Sequence, residues 1–189
     1  GTRTSRGKRA LNQRQHARQA VMTPMLRSVL LGIIAAVHLI STPVVAAELG
    51  QVTNLPVPRF VSLKAANGNV RRGPSLTHRI DWVFNQRDMP LRITAEYDNW
   101  RRVEDRDGMG GWMHYSLLSG TRTVLIEQDR LPLLARPEPN APVVALFELG
   151  AIARLGECSL EWCYLRADGY KGWAPKARLW GVGAQEIRD

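Results

Sequence analysis

DNWRRVEDRDGMGGWMHYSLL (98–118) and LEWCYLRADGYKGWAPKARL (160–179) are the two stretches on which the fold turns. Laid one on the other, Trp100 meets Trp162, Val103 meets Leu165, and Asp107-Gly108 meets Asp168-Gly169. Gly111-Trp112 then meets Gly172-Trp173 and Leu118 meets Leu179, at an offset of 61 or 62 residues. Further out, IDWVF (80–84) falls against VVALF (143–147) and LRITA (91–95) against AIARL (151–155). Matching features in the same order make an internal repeat whose unit is about sixty residues.

Inside each unit the apolar runs are short, alternate with polar residues and are broken by Gly, Pro, Asn and Asp. No segment keeps a helical period over three turns, so the unit is all-β. In the second unit Cys163, Leu165 and Ala167 mark one strand face and Trp162, Tyr164 and Arg166 the other. Asp107-Gly108 and Asp168-Gly169 stand where hairpins need positive φ. Gly111 and Gly172, each before a tryptophan, signal a bulge or a close backbone approach at a barrel corner. A unit of this size is too small for an enzyme core but suffices for a five-strand barrel, whose closure removes exposed strand edges.

The charge is unevenly placed. The chain of 189 residues carries a formal +9, but residues 1–47 hold seven basic side chains and no acid. From Glu48 onward 19 basic residues face 17 acidic ones, an ordinary surface without a field for nucleic acid. The leader explains the excess: a basic stretch ending at Arg27 runs into VLLGIIAAVHLI (29–40), Pro43 and the small residues before Ala47, the order of a secretory signal peptide. Met22 or Met25 is the expected start, and cleavage is expected at Ala46 or Ala47. The alternative is an uncleaved anchor, since 29–47 is close to a bilayer-spanning length; with cleavage there is no permanent membrane span. Cys158 and Cys163, the only cysteines, fit an oxidising periplasm or the exterior. On strands flanking one turn their β-carbons come within disulfide reach. The expected organisation is a leader over 1–47, a flexible linker over 48–58, modules over 59–120 and 121–183, and a tail over 184–189.

NVRRGPS (69–75), WRRV (100–103) and GWM (111–113) resemble the bacterial SH3 family, whose unit runs from an Asn-Val-Arg-x-Gly-Pro-Ser stretch through a Trp-x-x-Val strand to a Gly-Trp-Val strand. The second unit keeps WCYL (162–165) and GWAP (172–175), while LLARPEP (133–139) lacks the Gly-Pro-Ser turn. The paired cysteines in SLEWCYL resemble those of small exported proteobacterial proteins carrying two such modules. The resemblance implies two tandem SH3-like β-barrels behind a signal segment, a secreted or periplasmic location, and a binding role toward cell-wall peptide, peptidoglycan or an envelope protein.

Catalytic patterns are missing: no Gly-x-Ser-x-Gly elbow, no His-Glu-x-x-His, no phosphate loop. Two close cysteines are expected to pair with each other rather than to act with His78 or His114, and neither histidine sits in a metal-type cluster. Glu104, Asp105 and Asp107 lie among Arg101, Arg102 and Arg106, as on a solvated hairpin. The expectation is therefore no enzyme, no metal and no cofactor. Tryptophan is the enriched type that can carry function; Trp112, Trp162 and Trp173 recur in register and are expected to be structural. In unit one, Tyr97, Trp100 and Tyr115, with Asp98 and Arg101 beside them, are the expected wall of a groove for an extended peptide. RPEPNAP (136–142) falls between aligned strands and is expected to be a loop rather than a polyproline ligand.

Overall fold

The computed structural model describes residues 48–189. The readings that fall on 1–47 (signal peptide, cleavage site, start methionine, uncleaved anchor) lie outside the described residues. The first unit comprises β3 (Arg59–Leu63), β4 (Gly68–Arg71), β5 (Ile80–Phe84), β6 (Pro90–Tyr97), β7 (Trp100–Glu104), β8 (Gly110–His114) and β9 (Leu118–Ser119). The second comprises β10 (Thr123–Ile126), β11 (Leu131–Leu134), β12 (Val143–Phe147), β13 (Ile152–Cys158), β14 (Trp162–Ala167), β15 (Tyr170–Pro175) and β16 (Leu179–Trp180). Their sheets run β5-β4-β8-β7-β6-β3-β9 and β12-β11-β15-β14-β13-β10-β16, the same order element for element. Each unit thus has seven strands where the sequence suggested five. Among the described residues no helix is long and apolar enough to cross a membrane.

Register confirms the repeat and corrects one part of it. Val103 opposes Ile93 as Leu165 opposes Leu155, and Phe84 opposes Gly68 as Phe147 opposes Leu131. The likeness of LRITA to AIARL therefore shifts by two residues, Ile93 standing where Leu155 stands. Alternation then fills two cores. Leu63, Val70, Leu91, Ile93, Val103 and Met113 close the first, and Val124, Ile126, Leu131, Leu133, Cys163 and Leu165 close the second. Asp168 and Gly169 both have positive φ in a two-residue turn between Ala167 and Tyr170. The first unit's loop is longer, spanning 105–109, so only Gly108 is left-handed, and the Asp105 carboxylate accepts from the amides of Asp107 and Met109. Gly111 and Gly172 make the expected close approach. A Cβ would come within 2.6 Å of the Arg71 carbonyl oxygen at Gly111, and within 2.6 Å of that of Leu134 at Gly172.

The 48–58 segment is not a free linker. β1 (Glu48–Leu49) pairs with β2 (Pro56–Val57), and Val57 enters the first core. The sequence offers no periodicity there because the hairpin is held by a side chain some forty residues away, the Glu96 carboxylate. It accepts from the Val52 amide at 3.0 Å, the Thr53 amide at 2.8 Å and the Thr53 hydroxyl at 2.7 Å. The tail is likewise docked: Arg188 forms a β-bridge with Cys158, and Glu186 pairs with Arg122 at 2.7 Å. Among the described residues, 48–189, each unit closes a core of its own.

Cys158 and Cys163 form a disulfide across the turn joining β13 and β14, with Cα atoms 4.2 Å apart. The chain-entropy cost removed from the unfolded state by so short a loop is about 2 kcal/mol. Replacing both cysteines by alanine is expected to lower the unfolding free energy by about that amount, read from denaturant curves of 48–189 under oxidising conditions. An unchanged midpoint would contradict a stabilising bond.

Candidate functional site

The surface at the far end of the β6–β7 hairpin gathers the aromatic candidates. Asp98 has φ of +46° in a two-residue turn that sets Tyr97 opposite Trp100. Its conformation follows from the short polar side chain at a left-handed position. A 3-10 turn at Tyr115–Leu117 follows β8, and the Tyr115 amide donates to the Asn99 carbonyl at 2.9 Å. The hairpin tip and the 3-10 turn are thereby tied together, which brings Tyr97, Trp100 and Tyr115 to one end of the unit.

The rings differ in access. Tyr97 is 58% exposed and Tyr115 51%, whereas Trp100 is 7% exposed. His114 stands between the tryptophan and Tyr115, edge-on to Trp100 at 5.5 Å and tilted against Tyr115 at 4.9 Å. Its Nδ1 lies 2.8 Å from the Ser116 hydroxyl, which fixes the imidazole over the start of the 3-10 turn. The sequence reading leaves His114 out of the aromatic set; the cross-strand pairing of Trp100 with His114 is the signal that could have found it. Arg101 is buried. Its guanidinium donates to the carbonyls of Asp98 at 2.7 Å and Trp100 at 2.9 Å, faces Glu96 at 3.5 Å, and has its central carbon 5.9 Å from the Tyr115 ring centre. Asp98 enters through its carbonyl. The accessible part of the set is therefore a ledge of two tyrosines with a cation behind one of them.

The equivalent place in the second unit is a cleft of about 470 Å³ around Trp162, walled by Leu160, Pro175, Leu179 and Val182. Pro175 stands opposite Trp162 as His114 stands opposite Trp100. Lys176 takes the place of Tyr115 but turns inward, its Nζ donating to the Glu186 carbonyl at 2.6 Å. The tandem thus presents a half-polar aromatic ledge on one unit and a more apolar cleft on the other. Trp112 and Trp173, half-buried, oppose Arg71 and Leu134 at matching positions.

Several other chemistry-bearing groups are engaged. Both cysteines are spent in the disulfide. Glu104 pairs with Arg92, and Arg106 bridges Glu127 at 2.8 Å and Asp107 at 3.1 Å. Among the described residues no three His, Cys, Asp or Glu come together as a metal site. RPEPNAP is a loop closed by the Ala135 amide donating to the Pro142 carbonyl at 2.9 Å.

The family model described as the bacterial SH3 domain matches residues 64–120 and 127–181. No curated protein matches the chain at a significant level. Among solved structures, NlpC2 from Trichomonas vaginalis matches at 11% identity over 65% of this chain, and NlpC1 from the same organism at 12% over 69%. Both have a TM-score of 0.32, and the chain spans 48% of the length of each. Likenesses of that strength carry no functional argument.

Glu96 underlies the ledge and holds both Arg101 and the β1–β2 hairpin. Burial pushes its carboxyl pKa up, but the Thr53 hydroxyl, the amides of Thr53 and Val52 and the Arg59 guanidinium outweigh that and bring it from 4.5 to about 2. A depressed folded-state value means this stabilisation is complete above pH 4.5 and is lost as pH falls toward 2. Unfolding free energy of 48–189 is expected to drop by roughly 2–3 kcal/mol across that window. In Glu96→Gln the drop should flatten and neutral-pH stability should fall; an unaltered pH profile in the variant would overturn this account of the clamp.

Proposed function

The chain belongs to the bacterial SH3 domain family, and on that premise we propose that it is an exported, non-catalytic binding protein of the bacterial envelope that recognises cell-wall peptide. The observation carrying this reading is the aromatic ledge of Tyr97 and Tyr115, backed by Trp100, His114 and Arg101, at a place where the second unit opens a cleft around Trp162. Extended peptides are held by aromatic surfaces that cover apolar side chains while a fixed cation or main-chain group takes a polar end. The ledge offers the rings and the cleft offers apolar cover. The disulfide and the signal-like leader support an oxidising compartment.

The test is co-sedimentation of 48–189 with purified peptidoglycan sacculi over a range of salt. Tyr97→Ala with Tyr115→Ala is expected to weaken retention by about tenfold, the loss of roughly 1.4 kcal/mol, with circular dichroism unchanged because both rings are exposed. Trp162→Ala, made separately, reads the second unit's share. Failure of the unaltered protein to sediment under every condition would reject cell-wall recognition and point to a protein of the envelope as partner.

A further inference from the structure

The two sheets end on equivalent edge strands that are defended differently. β5 is bonded on one side to β4, and β12 on one side to β11; both are terminal in their sheets. The register makes them position-for-position counterparts. Val70 opposes Trp82 as Leu133 opposes Ala145, and the Arg72 amide donates to the Arg79 carbonyl as the Ala135 amide donates to that of Pro142. Arg72, Arg79 and Asp81 of the first unit therefore correspond to Ala135, Pro142 and Val144 of the second.

In the first unit those three residues form a charged guard on the edge. Asp81 accepts from Arg79 at 2.6 Å and from Arg72 at 3.2 Å. Charged side chains on an edge strand oppose its pairing with another strand, because pairing would strip them of water. In the second unit every member of the guard is uncharged, and the whole run NAPVVALF (140–147) contains no charge. Phe147 turns into the core while Val144 and Leu146 are 42% and 48% exposed. The same fold thus carries one closed edge and one bare one.

The bare edge is also self-complementary. Turned antiparallel on itself about Ala145, VVALF sets Val144 opposite Leu146, Val143 opposite Phe147 and Ala145 opposite Ala145. The residues beyond the strand then place Glu148 against Pro142, so no like charges meet and no charge is buried. The same operation on β5, centred on Trp82, would set Asp81 against Val83 and would crowd Asp81 and its two arginines against the partner's apolar strand. Cross-strand pairs of apolar and β-branched residues stabilise an antiparallel edge, and a two-fold contact needs only one patch that fits itself.

We propose that β12 is a self-association edge: two copies of this chain pair antiparallel through Val143–Phe147, joining their second-unit sheets and leaving the ledge of each first unit outside the contact. The test is equilibrium sedimentation of 48–189 at increasing concentration, without any cell-wall material, so that its result is independent of the ligand reading. The unaltered protein is expected to form a dimer. Val144→Lys, which puts a charge where the first unit has Asp81, is expected to raise the dissociation constant by at least tenfold, and Val83→Lys on β5 to leave it unchanged. If Val144→Lys disturbs the fold, hydrogen exchange on the unaltered protein decides: amides of Val143–Phe147 should gain protection with concentration while those of Ile80–Phe84 do not. A monomer at all concentrations, a dimer indifferent to Val144→Lys, or protection at β5 instead would overturn the proposal; a monomer that acquires protection at β12 only with sacculi would assign the edge to a wall component.

Discussion

A tie across one register position governs the end of each unit where the ledge and the cleft lie. In the second unit it is the Cys158–Cys163 disulfide; in the first it is the buried pair of Glu96 and Arg101, which oppose each other as the cysteines do. A barrel of about sixty residues buries few side chains, so a hairpin that leaves the sheet at a bulge must be fastened by something other than core packing. A covalent bond does this with no demand on its surroundings. A buried carboxylate must instead have each lone pair answered, or it costs more than it contributes. That requirement explains the β1–β2 hairpin: Val52 and Thr53 are folded back onto Glu96 because the ion pair cannot stand alone.

How far the sequence could be read follows from this. Trp100 with Trp162, Gly111 with Gly172, and Asp168-Gly169 are legible because strand alternation, close approach and turn conformation are local demands on residue type. The disulfide was legible from the short spacing of two cysteines on neighbouring strands. The order in the 48–58 segment was not, because its cause is one carboxylate far along the chain and ELGQVTNLPVP shows no periodicity of its own. In the sequence Arg101 reads as a charged neighbour of the groove wall, next to Trp100. Only the register places it against Glu96 and turns its guanidinium inward. Likewise Trp100 looked like a wall of the groove, and His114 covers part of it.

Duplication also separates what the fold needs from what it leaves free. Where both units keep a residue, as at Phe84 and Phe147 or Trp112 and Trp173, the register gives both the same backbone partners. Among the places where they differ, two change what the surface offers. One is the ledge, with His114 and Tyr115 against Pro175 and Lys176; the other is the sheet edge, with Asp81 against Val144. Neither change is needed for closure of a core, since the two sheets have the same strand order.

The two divergences are physically compatible in one molecule because they lie on different strands. The ledge belongs to the β6–β7 tip and the 3-10 turn after β8, whereas the bare edge belongs to β12, on the opposite flank of the other sheet's order. A charge guard on β5 keeps the edge of the ledge-bearing unit from competing for the same strand pairing. Under the proposed function and the proposed edge, a lone ledge of two tyrosines would bind modestly, whereas two ledges joined through a common edge would engage a repeating polymer with an effective concentration set by their spacing. A wall built of repeated peptides rewards that arrangement, and a single soluble peptide does not.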